Sequence, residues 1–172
     1  MSAERELRFS YADSAAITER WKTAGGMEFL REIGDGKLPS LPILDLLGIR
    51  FTKVGDGFVE LSLIPKDYAL NLAGSLHGGV TATALDSALT CSALTRLPVG
   101  KVINTIDFQV RFFRPIREST GVLHVRGEVL NLGTTLATTT ATMHDARGRL
   151  MAHASSTLAI LDAQSALTDR RA

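Results

Sequence analysis

Between Asn71 and Asp86 the chain reads Asn-Leu-Ala-Gly-Ser-Leu-His-Gly-Gly-Val-Thr-Ala-Thr-Ala-Leu-Asp: a loop, a glycine turn, and the opening of an otherwise apolar helix that carries one carboxylate. A carboxylate in such a helix is costly to bury unless it is hydrogen-bonded or kept for chemistry, so Asp86 is the residue that needs a reason. Gly78 and Gly79 fall at the helix start, where unpaired backbone N–H groups and the helix dipole favour negative charge and can hold a developing oxyanion. Two glycines also let a bulky substrate approach the backbone. Each of these residues has an ordinary reading too. Thr83, Asp86 and Thr90 fall on one helical face, which fits a solvent-exposed stripe or a satisfied buried carboxylate. Gly78-Gly79 fits a tight turn, His77 a capping or packing residue, and Asn71 a loop residue.

The elements that must hold these residues follow from periodicity. Residues 11–33 are helical in pattern, with Ile17 and Trp21, then Phe29 and Ile33, four apart; Asp13 or Ser14 can serve as N-cap, and Gly25-Gly26 breaks or kinks the run. Pro39 and Pro42 punctuate a connection to a short apolar segment at 43–47, and the whole reads as an N-terminal helical arm packed on the main body. After Gly48 the period becomes two, giving strands at 49–54 and 58–64 around a Gly55-Asp56-Gly57 turn. A loop then leads to a helix over 78–97 that stops before Pro98 and Gly100. Strand-like runs follow at 102–113, 121–130, 134–144 and 150–161. In the first of these, Ile106, Phe108, Val110 and Phe112 alternate with Asp107, Gln109 and Arg111, as expected of a sheet with one face on a core. The expectation is an α+β fold in which a curved antiparallel sheet of about six strands wraps around one long central helix. Its parts are an arm at 1–43, a main domain at 44–161 and a frayed tail at 162–172.

Composition narrows the function. At 172 residues the chain is most simply one domain burying roughly 70% of its unfolded surface. Nineteen Lys and Arg against 18 Asp and Glu give a formal charge of +1, which gives no support to nucleic-acid binding by phosphate neutralisation. The first twenty residues lack the apolar core of a secretion signal, and no apolar stretch reaches the roughly 20 residues of a membrane span. A soluble, cytoplasmic protein is expected. The single cysteine, Cys91, excludes an intrachain disulfide and a multi-cysteine metal site. His77, His124, His144 and His153 show no short pairing, so no metal is expected.

Asn71, His77-Gly78-Gly79 and Asp86, with asparagine six before the histidine and aspartate nine after it, resemble the hotdog-fold acyl-CoA thioesterases, in the branch typified by the phenylacetic-acid-degradation thioesterase. The element order from Leu44 to Leu161 fits that family, while the arm lies outside its common core. The resemblance implies that Asp86 is general base toward water or nucleophile on the thioester carbonyl. It implies that Gly78 donates its backbone N–H to the carbonyl oxygen, that His77 orients the thioester or its hydrogen-bond network, and that Asn71 helps hold the attacking water. Gly79, Thr90, Thr105 and Arg114 are implied in substrate binding, Thr90 and Thr105 at hydroxyl positions of relatives and Arg114 through a basic-proline pair with Pro115. Each threonine also reads as core, and the basic residues near strand ends also read as solvated sheet edges. No cofactor is implied, coenzyme A being part of the substrate. A homodimer, often paired into a homotetramer, is implied as well, because in this family the glycine turn and the carboxylate at one site come from different subunits.

Two other activities compete. A non-catalytic acyl-CoA sensor would not need Asp86, and the arm lacks a clear helix-turn-helix. An enoyl-CoA hydratase would pair a histidine with a carboxylate, yet the first histidine after Asp86 is His124.

Overall fold

The computed structural model describes residues 4–13 and 15–163. Within them, helices α1 (Ala15–Thr23), α2 (Gly26–Gly34) and α3 (Pro42–Leu47) precede strands β1 (Arg50–Gly55) and β2 (Phe58–Leu63). The long helix α4 (Gly78–Leu94) follows, then β3 (Lys101–Phe112), β4 (Leu123–Leu132), β5 (Leu136–Asp145) and β6 (Leu150–Asp162). The strands form one antiparallel sheet in the order β1-β2-β4-β5-β6-β3. The sheet curls around α4, which is the hotdog arrangement expected above. Of the two candidate caps for the first helix, Asp13 accepts a hydrogen bond from the Ala15 N–H at 2.9 Å, whereas Ser14 lies outside the described residues, as does most of the expected tail.

α4 is apolar on most of its circumference because the sheet closes on most of it. Ala84, Leu85, Ala88, Leu89 and Ala93 are fully buried, against an inner sheet face that carries Leu61, Val125, Ala141 and Met143. Small residues set the spacing. A Cβ at Gly127 would lie 2.1 Å from the Ala88 carbonyl oxygen, so β4 and α4 touch backbone to backbone there.

The arm belongs to this core. Ile17, Phe29, Leu30 and Ile33 lie in the same apolar cluster as α4's buried face. The break at Gly25-Gly26 has a packing reason, since a Cβ on Gly26 would meet the Leu94 carbonyl oxygen at 1.8 Å. The Gly26 N–H then donates to Leu97 O at 3.1 Å, in the turn just beyond α4. α1 and α2 are clamped by Arg20, whose guanidinium donates twice to Glu32 at 2.8 Å and also pairs with Glu28. The hydrogen bond from Arg20 holds the Glu32 carboxyl below its ordinary range, against the opposing effect of desolvation.

Two turns are fixed by specific hydrogen bonds, the first of them to the end of α4. At the β1–β2 tip, Gly57 N–H donates to Thr95 Oγ1 at 2.9 Å, while Gly57 O accepts from Val129 N at 2.8 Å. At the β5–β6 tip, the buried Asp145 accepts from the Arg147 and Arg149 N–H groups at 3.0 and 2.9 Å and from the Arg149 side chain. Burial alone would raise the Asp145 pKa; the Arg149 ion pair and these backbone donors outweigh it and hold the carboxyl below its usual value.

One expectation needs correction. The alternation along β3 does not place all four apolar residues on the core. Phe108 and Val110 pack against it, but Ile106 and Phe112 are exposed. β3 is an edge strand with β6 as its one neighbour, and the register shifts between Thr105 and Asp107, leaving Ile106 as the extra residue of a bulge.

Candidate active site

The site is built where the 64–77 connection enters α4. Leu76 is buried and donates its N–H to Ile116 O at 2.7 Å, and His77 N donates to Ala69 O at 2.9 Å. These two anchors aim the chain into the helix. Asn71 shapes the loop itself: its Oδ1 accepts from the Ala73 and Ser75 N–H groups at 2.9 and 3.1 Å. Its side-chain oxygen is thereby committed to a local turn.

His77 is the N-cap of α4, with Nδ1 accepting the Gly79 N–H at 3.0 Å. The ring is exposed, and when neutral it carries its proton on the outward Nε2. The cap consumes the Gly79 N–H, and the Val80 and Thr81 N–H groups turn back to His77 O. The Gly78 N–H makes no hydrogen bond among the described residues. It stands at the positive end of a 17-residue helix, free to receive an acceptor. A Cβ on Gly78 would reach the Phe112 ring at 3.5 Å, so the end of β3 flanks the helix start.

Asp86 lies two turns further on, half-buried, on the part of α4 that the sheet leaves open. Thr83, Ser87 and Thr90 share that stripe, and each donates its hydroxyl to a helix carbonyl, at Gly79, Thr83 and Asp86, at 2.9, 2.7 and 2.8 Å. Thr90 therefore bonds to the Asp86 backbone and leaves the carboxylate alone. The hydroxyl that reaches the carboxylate is Thr105, from β3: its Oγ1 donates to Asp86 Oδ1 at 2.8 Å. Asp86 Oδ2 has no hydrogen-bond partner among the described residues. One oxygen is held and the other is open.

Thr105 sits at the bulge, which separates it from the regular pairing that resumes at Asp107. Removing its hydroxyl while keeping its shape is expected to lower kcat about tenfold through loss of one positioning hydrogen bond. Steady-state kinetics of Thr105→Val and Thr105→Ser checks this. The valine variant should lose kcat with KM little changed, and serine should restore it; equal kcat in wild type and Thr105→Val would remove the positioning role.

Arg114 donates from Nη1 to Leu150 O at 2.6 Å and is otherwise exposed. Of the other basic residues near strand ends, Lys101 pairs with Asp162, Arg126 with Glu60 and Glu128, and Arg149 with Asp145. Cys91, one residue past Thr90, is no competing nucleophile: burial pushes its thiol up to about 12. No group of three or more His, Cys, Asp or Glu side chains suited to a metal ion occurs among the described residues, and no helix there is long and apolar enough to cross a membrane.

A model of the Thioesterase superfamily matches residues 73–152, from the loop before His77 into β6. The crystal structure of a thioesterase family protein from Silicibacter pomeroyi is 30% identical, covering 71% of this chain and 90% of that one with a TM-score of 0.67. The chain belongs to the thioesterase superfamily. A curated protein of Saccharolobus solfataricus whose name proposes an esterase is 28% identical over 112 residues, 65% of this chain and 73% of its own. The E. coli PaaI protein from the phenylacetic acid degradation operon shares the fold, with a TM-score of 0.64 at 18% identity over 69% of this chain and 83% of that one. In this thioesterase-superfamily chain the matched segment contains His77, Gly78, Asp86 and Thr105 together. Asn71 falls just before it.

Proposed function

We propose that this chain hydrolyses acyl-CoA thioesters to a free carboxylic acid and coenzyme A. The observation that carries the reading is the divided state of Asp86, with Oδ1 held by Thr105 and Oδ2 open, on the same helix as the free Gly78 N–H. Oδ2 takes a proton from water as the water oxygen bonds to the thioester carbon. The carbonyl oxygen becomes an oxyanion held by the Gly78 N–H, an interaction worth a few kcal/mol in the transition state. The C–S bond then breaks, and the thiolate leaves with the proton returned from Asp86. Direct attack by Oδ2 on the carbonyl carbon, with water cleaving the resulting anhydride, uses the same open atom.

The separation of Gly78 and Asp86 supports a site shared between two copies. Gly78 and Asp86 are eight residues apart in one helix, about 12 Å along its axis and about 80° around it, too far for both to touch one carbonyl. Two α4 helices packed antiparallel through their open stripes bring Asp86 of one copy against Gly78 of the other. The free edge of β3, with Ile106, Phe112 and Phe113 exposed along it, offers the surface that continues the sheet into a second copy. The assembly is a homodimer, or a homotetramer of two such dimers. His77 holds the helix opening in shape, and Asn71 does the same for the loop before it. Arg111, Arg114, Arg117 and Arg147, none of whose side chains is paired with a carboxylate among the described residues, are the strand-end cations left for the coenzyme A phosphates.

The test is thiol release from a panel of phenylacetyl-, hydroxybenzoyl- and medium-chain fatty acyl-CoA, with the mass measured by light scattering. Turnover of at least one thioester by a species of two or four chains is expected. Saturable acyl-CoA binding without hydrolysis across the panel would overturn the reading in favour of a binding module.

A further inference from the structure

The fold brings together two histidines that the sequence holds twenty positions apart. His124 on β4 and His144 on β5 are direct partners in the antiparallel register. Their neighbours Leu123, Val125, Met143 and Asp145 all point into the core, so both imidazoles stand on the outer face of the sheet. Directly opposed residues have Cβ atoms about 4.5–5.5 Å apart, and rotation about two side-chain torsions lets the two rings converge on one point.

These two rings differ from the other two in the chain. His77 caps α4 and His153 is hydrogen-bonded to Thr140 at 3.0 Å, whereas neither His124 nor His144 has a side-chain hydrogen bond among the described residues. Both line one cleft of about 340 Å³, together with Glu60, Arg126 and Thr142. Arg126 is paired with Glu60 and with Glu128, so the cation in the cleft is already neutralised. Two imidazoles at directly paired positions, neither held by another side chain and beside a cation already neutralised, suit a late first-row divalent ion, for which imidazole is a preferred ligand, over magnesium or calcium, which take oxygen ligands.

We propose that His124 and His144 form a two-histidine chelate for such an ion, zinc or nickel, on the outer face of the sheet, distinct from the Asp86 site. Two protein nitrogens leave the remaining coordination positions to water, and the ion cross-links β4 to β5. Because it binds the folded register and not a disordered chain, it raises the melting temperature.

The experiment is calorimetric titration of the chelator-stripped full chain with ZnCl2, NiCl2 and MgCl2, with thermal melts in parallel. Expected are one zinc or nickel ion per chain, no magnesium binding and a higher melting temperature with zinc. His124→Ala and His144→Ala should each weaken zinc at least tenfold, while His153→Ala leaves it unchanged. His144→Gln, which keeps volume and polarity, serves if an alanine variant does not fold. Absence of zinc and nickel binding to the wild-type chain, or full affinity in the His124 and His144 variants, would overturn the proposal.

Discussion

Asp86→Asn is expected to lower kcat on the best thioester by about 10³-fold or more, the scale at which a positioned acid–base group contributes, while the fold and KM stay close to wild type. The asparagine oxygen can still accept the 2.8 Å hydrogen bond from Thr105, so the link between α4 and β3 survives. What replaces Oδ2 is an amide N–H, which can neither accept a proton from water nor attack a carbonyl carbon. The substitution therefore removes the chemistry and leaves the local structure. Thiol release measured alongside a thermal melt separates the two. A kcat within tenfold of wild type, with the melt unchanged, would mean that the carboxylate is not the reacting group and that hydrolysis runs through another atom.

The second large effect concerns a residue that touches no substrate. Gly127→Ala is expected to destabilise the fold by about 2–4 kcal/mol, at or above the upper range for overpacking, lowering Tm by roughly 5–15 °C. The added Cβ would lie 2.1 Å from the Ala88 carbonyl oxygen and 2.4 Å from its carbon. Backbone cannot rotate away as a side-chain tip would, so α4 and β4 must separate. Ala88 is two residues beyond Asp86, and a helix displaced there carries the carboxylate away from Thr105. The surviving folded protein should accordingly show a reduced kcat at temperatures well below its melt. Gly34→Ala is the control, because its Cβ would meet Phe51 Cβ at an ordinary 3.4 Å. A Gly127→Ala protein that melts with wild type and turns over normally would show that the helix-to-sheet contact has slack.

The sequence carried the scaffold in legible form because each element has its own period. The helix, expected at 78–97 and found at 78–94, is marked by small and apolar residues and the stop at Pro98, and the six strands by apolar runs between turn residues, with alternation plain at 58–64 and 106–112. The break at Gly25-Gly26 was also readable, although its cause, contact with Leu94, was not. The site was legible where it is local: His77, Gly78 and Asp86 occupy the helix start and open stripe that their spacing gives. What topology assembles was not legible in the residues themselves. Thr105 is named only through the resemblance, as a substrate-binding hydroxyl; that it reaches Asp86 across nineteen positions, through a bulge that no turn residue announces, was not readable. Thr90, one turn from Asp86 and the nearer candidate, instead satisfies its hydroxyl on the helix backbone, as threonine in a helix commonly does. Ile106 and Phe112 follow a buried alternation but lie on an edge strand, and nothing in a linear pattern distinguishes an edge from a centre.

The hydroxyls of Thr83, Ser87 and Thr90 are all turned back onto helix carbonyls. That leaves Asp86 Oδ2 as the side-chain oxygen of this stripe without a partner among the described residues. In the proposed reaction this stripe offers the thioester one reacting oxygen and little with which to tell one acyl group from another. On that reading, discrimination falls to other parts, such as the Phe112 side of the helix opening and the arm. Those parts can change without disturbing the reacting atoms, so in this architecture substrate preference can drift while the reaction is inherited intact.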